Sequence, residues 1–125
     1  MEDLNIPGGQ SVPGIQADVA RGILAMQGDS YPENPFELFN PVIRWVEDYI
    51  DHETRPLALE LELLYLNTSS IRAMMEIFDM LEAAHRQGRT VGVNWYYDRN
   101  NERVAELAEE FKEDCTFPFA ILARR

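Results

Sequence analysis

The sequence predicts an α/β fold, a small mixed β-sheet with helices packed on one face in two layers. Three observations carry that prediction. Apolar residues recur alternately with a period of two and a period of about 3.6, giving the element order β-β-α-β-α-β-α-β. Strand–helix–strand alternation implies parallel neighbours joined by right-handed crossovers. The two longest strand candidates, "LALELELLYL" at 57–66 and "TVGVNWYY" at 90–97, alternate apolar with polar residues. A parallel sheet covered on both faces would instead read as continuous apolar runs. Helices therefore cover one face and leave the other partly open and polar.

Residues 1–13 carry Pro7, Gly8, Gly9 and Pro13 and few apolar side chains, and read as a loose N-terminal arm of one domain spanning 1–125. Residues 14–18 and 22–27 read as two short strands around a turn at Asp18 to Gly22. "GDSYPENP", 28–35, reads as a turn-rich loop that ends in a helix start: Asn34 as N-cap, Pro35 at the first helical position, Glu37 closing a capping box. Phe36, Phe39, Ile43, Val46 and Ile50 then form a helical stripe, and Pro41 inside it predicts a kink or a restart capped by Asn40. In 57–66, Leu57, Leu59, Leu61, Leu63 and Tyr65 share one face; Glu60 and Glu62 share the other. Ile71, Met74, Met75, Phe78 and Leu81 make a second helical stripe ending near Gly88. In 90–97, Val91, Val93, Trp95 and Tyr97 oppose Asn94 and Tyr96, so Glu60, Glu62, Asn94 and Tyr96 should point out of the open face. A third helix is predicted over about 100–113 with Val104, Leu107, Ala108 and Phe111 inward, and a last strand over 117–123.

A chain of 125 residues suits one domain, large enough for a core without staples. The 22 acids against 11 bases give a net charge of -11, which repels phosphate backbones and anionic lipid. Nucleic acid and direct membrane binding are therefore poor expectations, and a protein partner with a basic patch is a better one. No apolar run is long enough to span a bilayer, and "MEDLNIPGGQSVPG" lacks the apolar centre of a signal peptide. Cys115 stands alone, so neither an internal disulfide nor a cysteine metal cluster is expected, and a reducing, cytoplasmic setting fits.

The chemistry concentrates at "YLNTSSIRAMMEIF", 65–78, where an apolar strand meets Thr68, Ser69 and Ser70 and then an apolar helix. One reading is capping, in which a hydroxyl accepts from a first-turn N–H for about 1 kcal/mol. The other is an anion or phosphoryl site, because a helix N-terminus offers free N–H groups and about half a positive charge. Most helices place Asp or Glu in that first turn; here it holds Ile71, Arg72, Ala73 and Met74. Elsewhere the structural reading prevails. Glu60 and Glu62 have no His or Cys at matching spacing, so a solvated face is favoured over a metal site. His52 and His85 read as surface residues, and Asp29, Ser30, Tyr31 and Glu33 as turn chemistry with a contact loop as the alternative. Met74, Met75 and Met80 read as core, and 98–114 as a solvated amphipathic helix. Neither a G-x-S-x-G nucleophile setting nor a glycine-rich phosphate loop is present.

"MQGDSYPENP", "LLYLNTSSIRAMM", "WYYDRNNERVAELAEEF" and "DCTFPFAI" resemble the SiaC-type biofilm regulation phosphoproteins of bacteria, from about Leu4 to Leu122. That family is similar in fold to the STAS-like anti-sigma-factor antagonists, a small mixed sheet with helices on one side. The resemblance implies a regulatory protein rather than an enzyme, with no catalytic residues, cofactor or metal. It implies that the motif threonine, here Thr68, is phosphorylated by a dedicated serine/threonine kinase and dephosphorylated by a PP2C-type phosphatase. It further implies that the unphosphorylated form binds a diguanylate cyclase, promoting cyclic di-GMP synthesis and biofilm formation, and that phosphorylation releases it. Asn67, Ser69, Ser70 and Arg72 would shape the helix end around Thr68. Pro41 departs from the unbroken helix expected there. Two alternatives stand beside this: an anti-sigma-factor antagonist in a partner-switching pathway, and a small-molecule binder using the open face at Glu60 and Glu62.

Overall fold

The computed structural model describes residues 1–124. In chain order they form β1 (Leu4–Ile6), β2 (Gly14–Asp18), β3 (Ile23–Ser30), α1 (Pro35–His52), β4 (Leu57–Leu66), α2 (Thr68–Arg86), β5 (Val91–Tyr97), α3 (Glu102–Glu113) and β6 (Phe119–Ala123). The strands make one six-stranded mixed sheet in the order β1-β2-β3-β4-β5-β6. β1, β2 and β3 pair antiparallel, while β3 through β6 run parallel. Each crossover steps to the next strand in the same direction, so right-handed connections place all three helices on one face. Burial follows: Leu57, Leu59, Leu61 and Leu63 pack under the helices while Glu60, Glu62, Asn94 and Tyr96 look outward, half-buried. On that open face Asn94 Nδ2 donates to Glu60 at 2.8 Å and Tyr96 Oη at 3.3 Å. Arg124 pairs with Glu62 at 3.0 Å and lies 4.2 Å from the Tyr96 ring centroid.

The expected loose arm is partly ordered. Leu4–Ile6 adds an edge strand to β2, and the segment is pinned by Trp45 Nε1 donating to Glu2 O at 3.0 Å and Val19 N donating to Asp3 Oδ1 at 2.8 Å. The turn before β3 closes on Gly22, whose φ of +65° and distance of 2.2 Å from a hypothetical Cβ to Pro56 O admit only glycine. β3 continues through Ser30, three residues past its expected end. A register shift between Gly28 and Asp29 leaves Leu64 as an extra residue on β4. The alternation flips there, so Tyr65, expected to share the buried face with Leu57–Leu63, is 53 % exposed, and Leu66 is buried instead.

α1 begins as expected, with Asn34 Oδ1 accepting from Glu37 N at 3.2 Å and Pro35 at the first turn. Pro41 neither restarts nor ends it: one helix runs from Pro35 to His52. Its core arc is Leu38, Phe39, Val42, Trp45, Val46 and Tyr49, about one residue out of phase with the expected stripe, and Phe36 is 74 % exposed. The large rings set that phase. Trp45 stacks on Tyr49 at 5.2 Å, and Tyr49 Oη reaches Pro56 O at 3.0 Å. In α2 the core residues are Ala73, Met74, Ile77, Phe78, Leu81 and Ala84, and Met75, expected in the core, is exposed. Val104, Ala108 and Phe111 face inward from α3, and Trp95 and Phe78 both pack on Phe111.

Candidate functional site

The α2 mouth sits at the C-terminal end of β4, the end of a parallel sheet where ligand and partner sites gather. The residue before the helix, Asn67, is extended (φ −78°, ψ 176°), and its Oδ1 accepts from Ser70 N at 3.0 Å. The cap is therefore Asn67 and not one of the hydroxyls, which corrects the capping reading of Thr68, Ser69 and Ser70. Asn outranks Thr as an N-cap, and a β-strand ending at Leu66 leaves Asn67 in the half-in position, so the ranking alone could have found it.

Relieved of capping, the three hydroxyls take different environments. Ser69 is half-buried and donates to Asn67 Oδ1 at 3.0 Å. Ser70 is fully buried: its Oγ donates to Ser30 O at 3.0 Å and lies 2.7 Å from Ser30 Oγ. Because the Ser70 proton is committed to the carbonyl, Ser30 Oγ is the donor in the 2.7 Å contact. Thr68 is exposed, and among the described residues its hydroxyl has no hydrogen-bond partner. No general base among the described residues touches it, so nothing in its surroundings activates it as a nucleophile.

The electrostatics single out this helix. α1 carries Glu37 and α3 carries Glu102 in the first turn; α2 carries no acid there. Its positive end is uncompensated, the backbone N–H groups of Thr68 and Ser69 have no intrahelical acceptor, and exposed Arg72 lies one turn on, on the same side as Thr68. All the residues expected at the switch, Asn67, Thr68, Ser69, Ser70 and Arg72, thus meet within two helical turns.

Around them lies surface that the sequence did not disclose. The bulge turns Leu64 and Tyr65 outward, and Tyr31 meets Tyr65 edge-on at 6.0 Å. Asn101, the N-cap of α3, donates to Leu64 O at 2.9 Å, and Asn67 N donates to Ser30 O at 3.0 Å, tying together the loops after β3, β4 and β5. On the other side a groove of about 310 Å³ between α1 and α2 is lined by Phe36, Phe39, Ile43, Ser69, Arg72 and Glu76. Phe36, 74 % exposed, stands on the wall of this groove. By contrast, the carboxylates of Glu60 and Glu62 are already engaged by Asn94, Tyr96 and Arg124. Among the described residues no three His, Cys, Asp or Glu side chains are placed to hold a metal ion, and no helix is long and apolar enough to cross a membrane.

Comparison with known proteins finds relatives over nearly the whole chain. The family described as "SiaC family regulatory phosphoprotein" matches residues 6–124. An uncharacterized protein of Pseudomonas aeruginosa strain UCBPP-PA14 is 66 % identical over 123 residues, 98 % of each chain. The crystal structure of apo-SiaC from Pseudomonas aeruginosa is 64 % identical, with a TM-score of 0.95 over 98 % of this chain and 100 % of that one. The SiaC in a crystal structure with the diguanylate cyclase SiaD, which it activates, also from Pseudomonas aeruginosa, is 66 % identical, with a TM-score of 0.96 over 98 % and 100 % of the two chains.

Proposed function

This chain belongs to the SiaC family of regulatory phosphoproteins, and on that premise we propose that it is a phosphorylation-switched activator of a diguanylate cyclase. With Thr68 unmodified it binds the cyclase and promotes cyclic di-GMP synthesis and biofilm formation. A partner serine/threonine kinase adds the phosphate and a PP2C-type phosphatase removes it. One observation supports this most: of the three adjacent hydroxyls, Thr68 alone is exposed and uncommitted, at a helix mouth without an acid and beside exposed Tyr31, Leu64, Tyr65 and Phe36.

The mechanism is local. A phosphate on Thr68 adds about -1.5 to -2 charges. The free N–H groups and positive end of α2, with Arg72 a turn away, accommodate that charge, so the fold is kept. A partner packing apolar side chains into the adjoining groove must instead desolvate it. A loss of about 2.7 kcal/mol is enough to weaken binding about a hundredfold. The test compares three forms against the cognate cyclase by calorimetry: the unmodified chain, Thr68→Ala, and the chain phosphorylated by its kinase with the site mapped by mass spectrometry. Thr68→Ala should bind within a few-fold of the unmodified chain, and phosphorylation should cost about a hundredfold. Equal binding of bare and phosphorylated chains would overturn the proposal, as would recovery from a lysate of an anti-sigma kinase and no cyclase.

A further inference from the structure

On the opposite flank of α1 from the α1–α2 groove lies a second cavity, of about 530 Å³, closed by β1, the β1–β2 loop and the loop before α1. Its walls are largely apolar, with Leu4, Ile6, Val12, Pro32, Leu38 and Pro41 beside the uncharged Ser11 and Asn34. Its rim is acidic. Glu33 and Glu37 are exposed, line the opening and belong to none of the ion pairs among the described residues, and no basic residue lines the cavity. Pro41 adds a third acceptor. It lies inside the helix and has no N–H, so the Glu37 carbonyl lacks its helical donor four residues on, at a point where both residues line the cavity.

We infer that this cavity is a docking site for a basic amphipathic segment of a protein partner, one that inserts an aliphatic or aromatic side chain and sets an arginine beside it against Glu33, Glu37 and the Glu37 carbonyl. Size places the cavity in the range that buries a side-chain cluster. Two carboxylates rim an apolar floor, and the donors beside them are uncharged, the Ser11 hydroxyl and Asn34 Nδ2, the latter at a long 3.5 Å from Glu37 Oε2; a guanidinium, planar with five N–H donors, matches several acceptors at once where an ammonium meets one or two. The whole molecule, at -11, draws cationic segments inward. A polypeptide fits better than a free metabolite because the surface continues: the same Glu37 and Pro41 line an adjoining groove that runs past exposed Phe36 toward the α1–α2 side. The site does not depend on Thr68, which none of these walls contains.

The probe is a short helical peptide with a leucine stripe flanked by arginines, titrated into methyl-labelled full chain and followed by NMR. Shifts should centre on the methyls of Leu4, Ile6, Val12 and Leu38. Citrulline at every arginine should weaken binding at least about tenfold, and so should Glu33→Gln with Glu37→Gln, a pair that keeps the cap geometry of α1 and whose folding is read from the same spectrum. Shifts scattered over the surface or confined to the α1–α2 groove would overturn the inference. So would equal binding by the citrulline peptide or by the double variant, or no binding at all.

Discussion

Four neighbouring side chains at the α2 mouth carry four separate duties. Asn67 caps, Ser69 braces the cap, Ser70 anchors the helix to the end of β3, and Thr68 is left for the solvent side. The anchoring has a measurable signature. Ser30 and Ser70 are both buried, and the Ser30 hydroxyl depends on Ser70 Oγ as its acceptor, so Ser70→Ala orphans it away from water, whereas Ser70 keeps its bond to the Ser30 carbonyl when Ser30 is truncated. Ser70→Ala alone should cost about 1–3 kcal/mol in urea denaturation, and Ser30→Ala alone less. Their combination should cost clearly less than the sum, because the orphaned hydroxyl is then gone as well. Strict additivity would mean that the 2.7 Å contact carries no coupling. On the proposed switch, the same pair would keep a phosphate at Thr68 from disturbing the helix, because two residues along the backbone is held by buried bonds.

At the scale of elements, the sequence disclosed what periodicity encodes and hid what a partner strand or a neighbouring ring decides. Element order, the one-sided sheet and the start of α1 were legible, because alternation and capping chemistry are local. The strand at Leu4–Ile6 was not, since three residues carry no periodicity and owe their order to β2. Nor was the bulge at Leu64, which exists only in the register between β3 and β4 and which exposes Tyr65. The α1 stripe was misphased because five apolar residues fit two arcs, and the Trp45–Tyr49 stack selects one. The motif 67–70 was legible as a polar strand-to-helix junction, whereas its buried tie to Ser30, 40 residues away, was not. Another contact between elements gives a pH-dependent outcome. Glu82 on α2 accepts from Thr116 Oγ1 at 2.6 Å and Thr116 N at 2.7 Å, and from Arg86 at 2.9 Å. The Thr116 bonds, chiefly, hold its carboxyl down from 4.5 to about 2. A depressed carboxylate stabilises the fold fully above its unfolded value and loses that contribution as pH falls through the folded one. The stability gap between the unmodified chain and Glu82→Gln should therefore be constant above pH 4.5 and close as pH falls toward 2. A gap that closes already above 4.5, or that persists at 2, would refute this clasp.

For the whole molecule the dominant electrostatic term is self-repulsion. Twenty-two acids face 11 bases, and the described residues form only three ion pairs, each with an exposed arginine partner. Exposed pairs of this kind contribute between about 0 and 1 kcal/mol each. Many carboxylates, Glu33 and Glu37 among them, belong to no ion pair among the described residues. Salt at 0.1 M screens charges beyond about 10 Å, so it weakens the many long-range repulsions more than the few short attractions. Raising sodium chloride from low millimolar to about 0.3 M should accordingly raise stability by roughly 1 kcal/mol, a Tm increase of about 4 °C. Chloride rather than sulfate is the right anion, because sulfate strengthens apolar burial on its own account. The same field should act on a partner in the opposite sense, with basic-segment binding to the Glu33–Glu37 cavity weakening over the range in which the fold gains. A Tm that falls with sodium chloride would show that ion pairs outweigh repulsion, and the electrostatic draw on cationic partners would lose its basis.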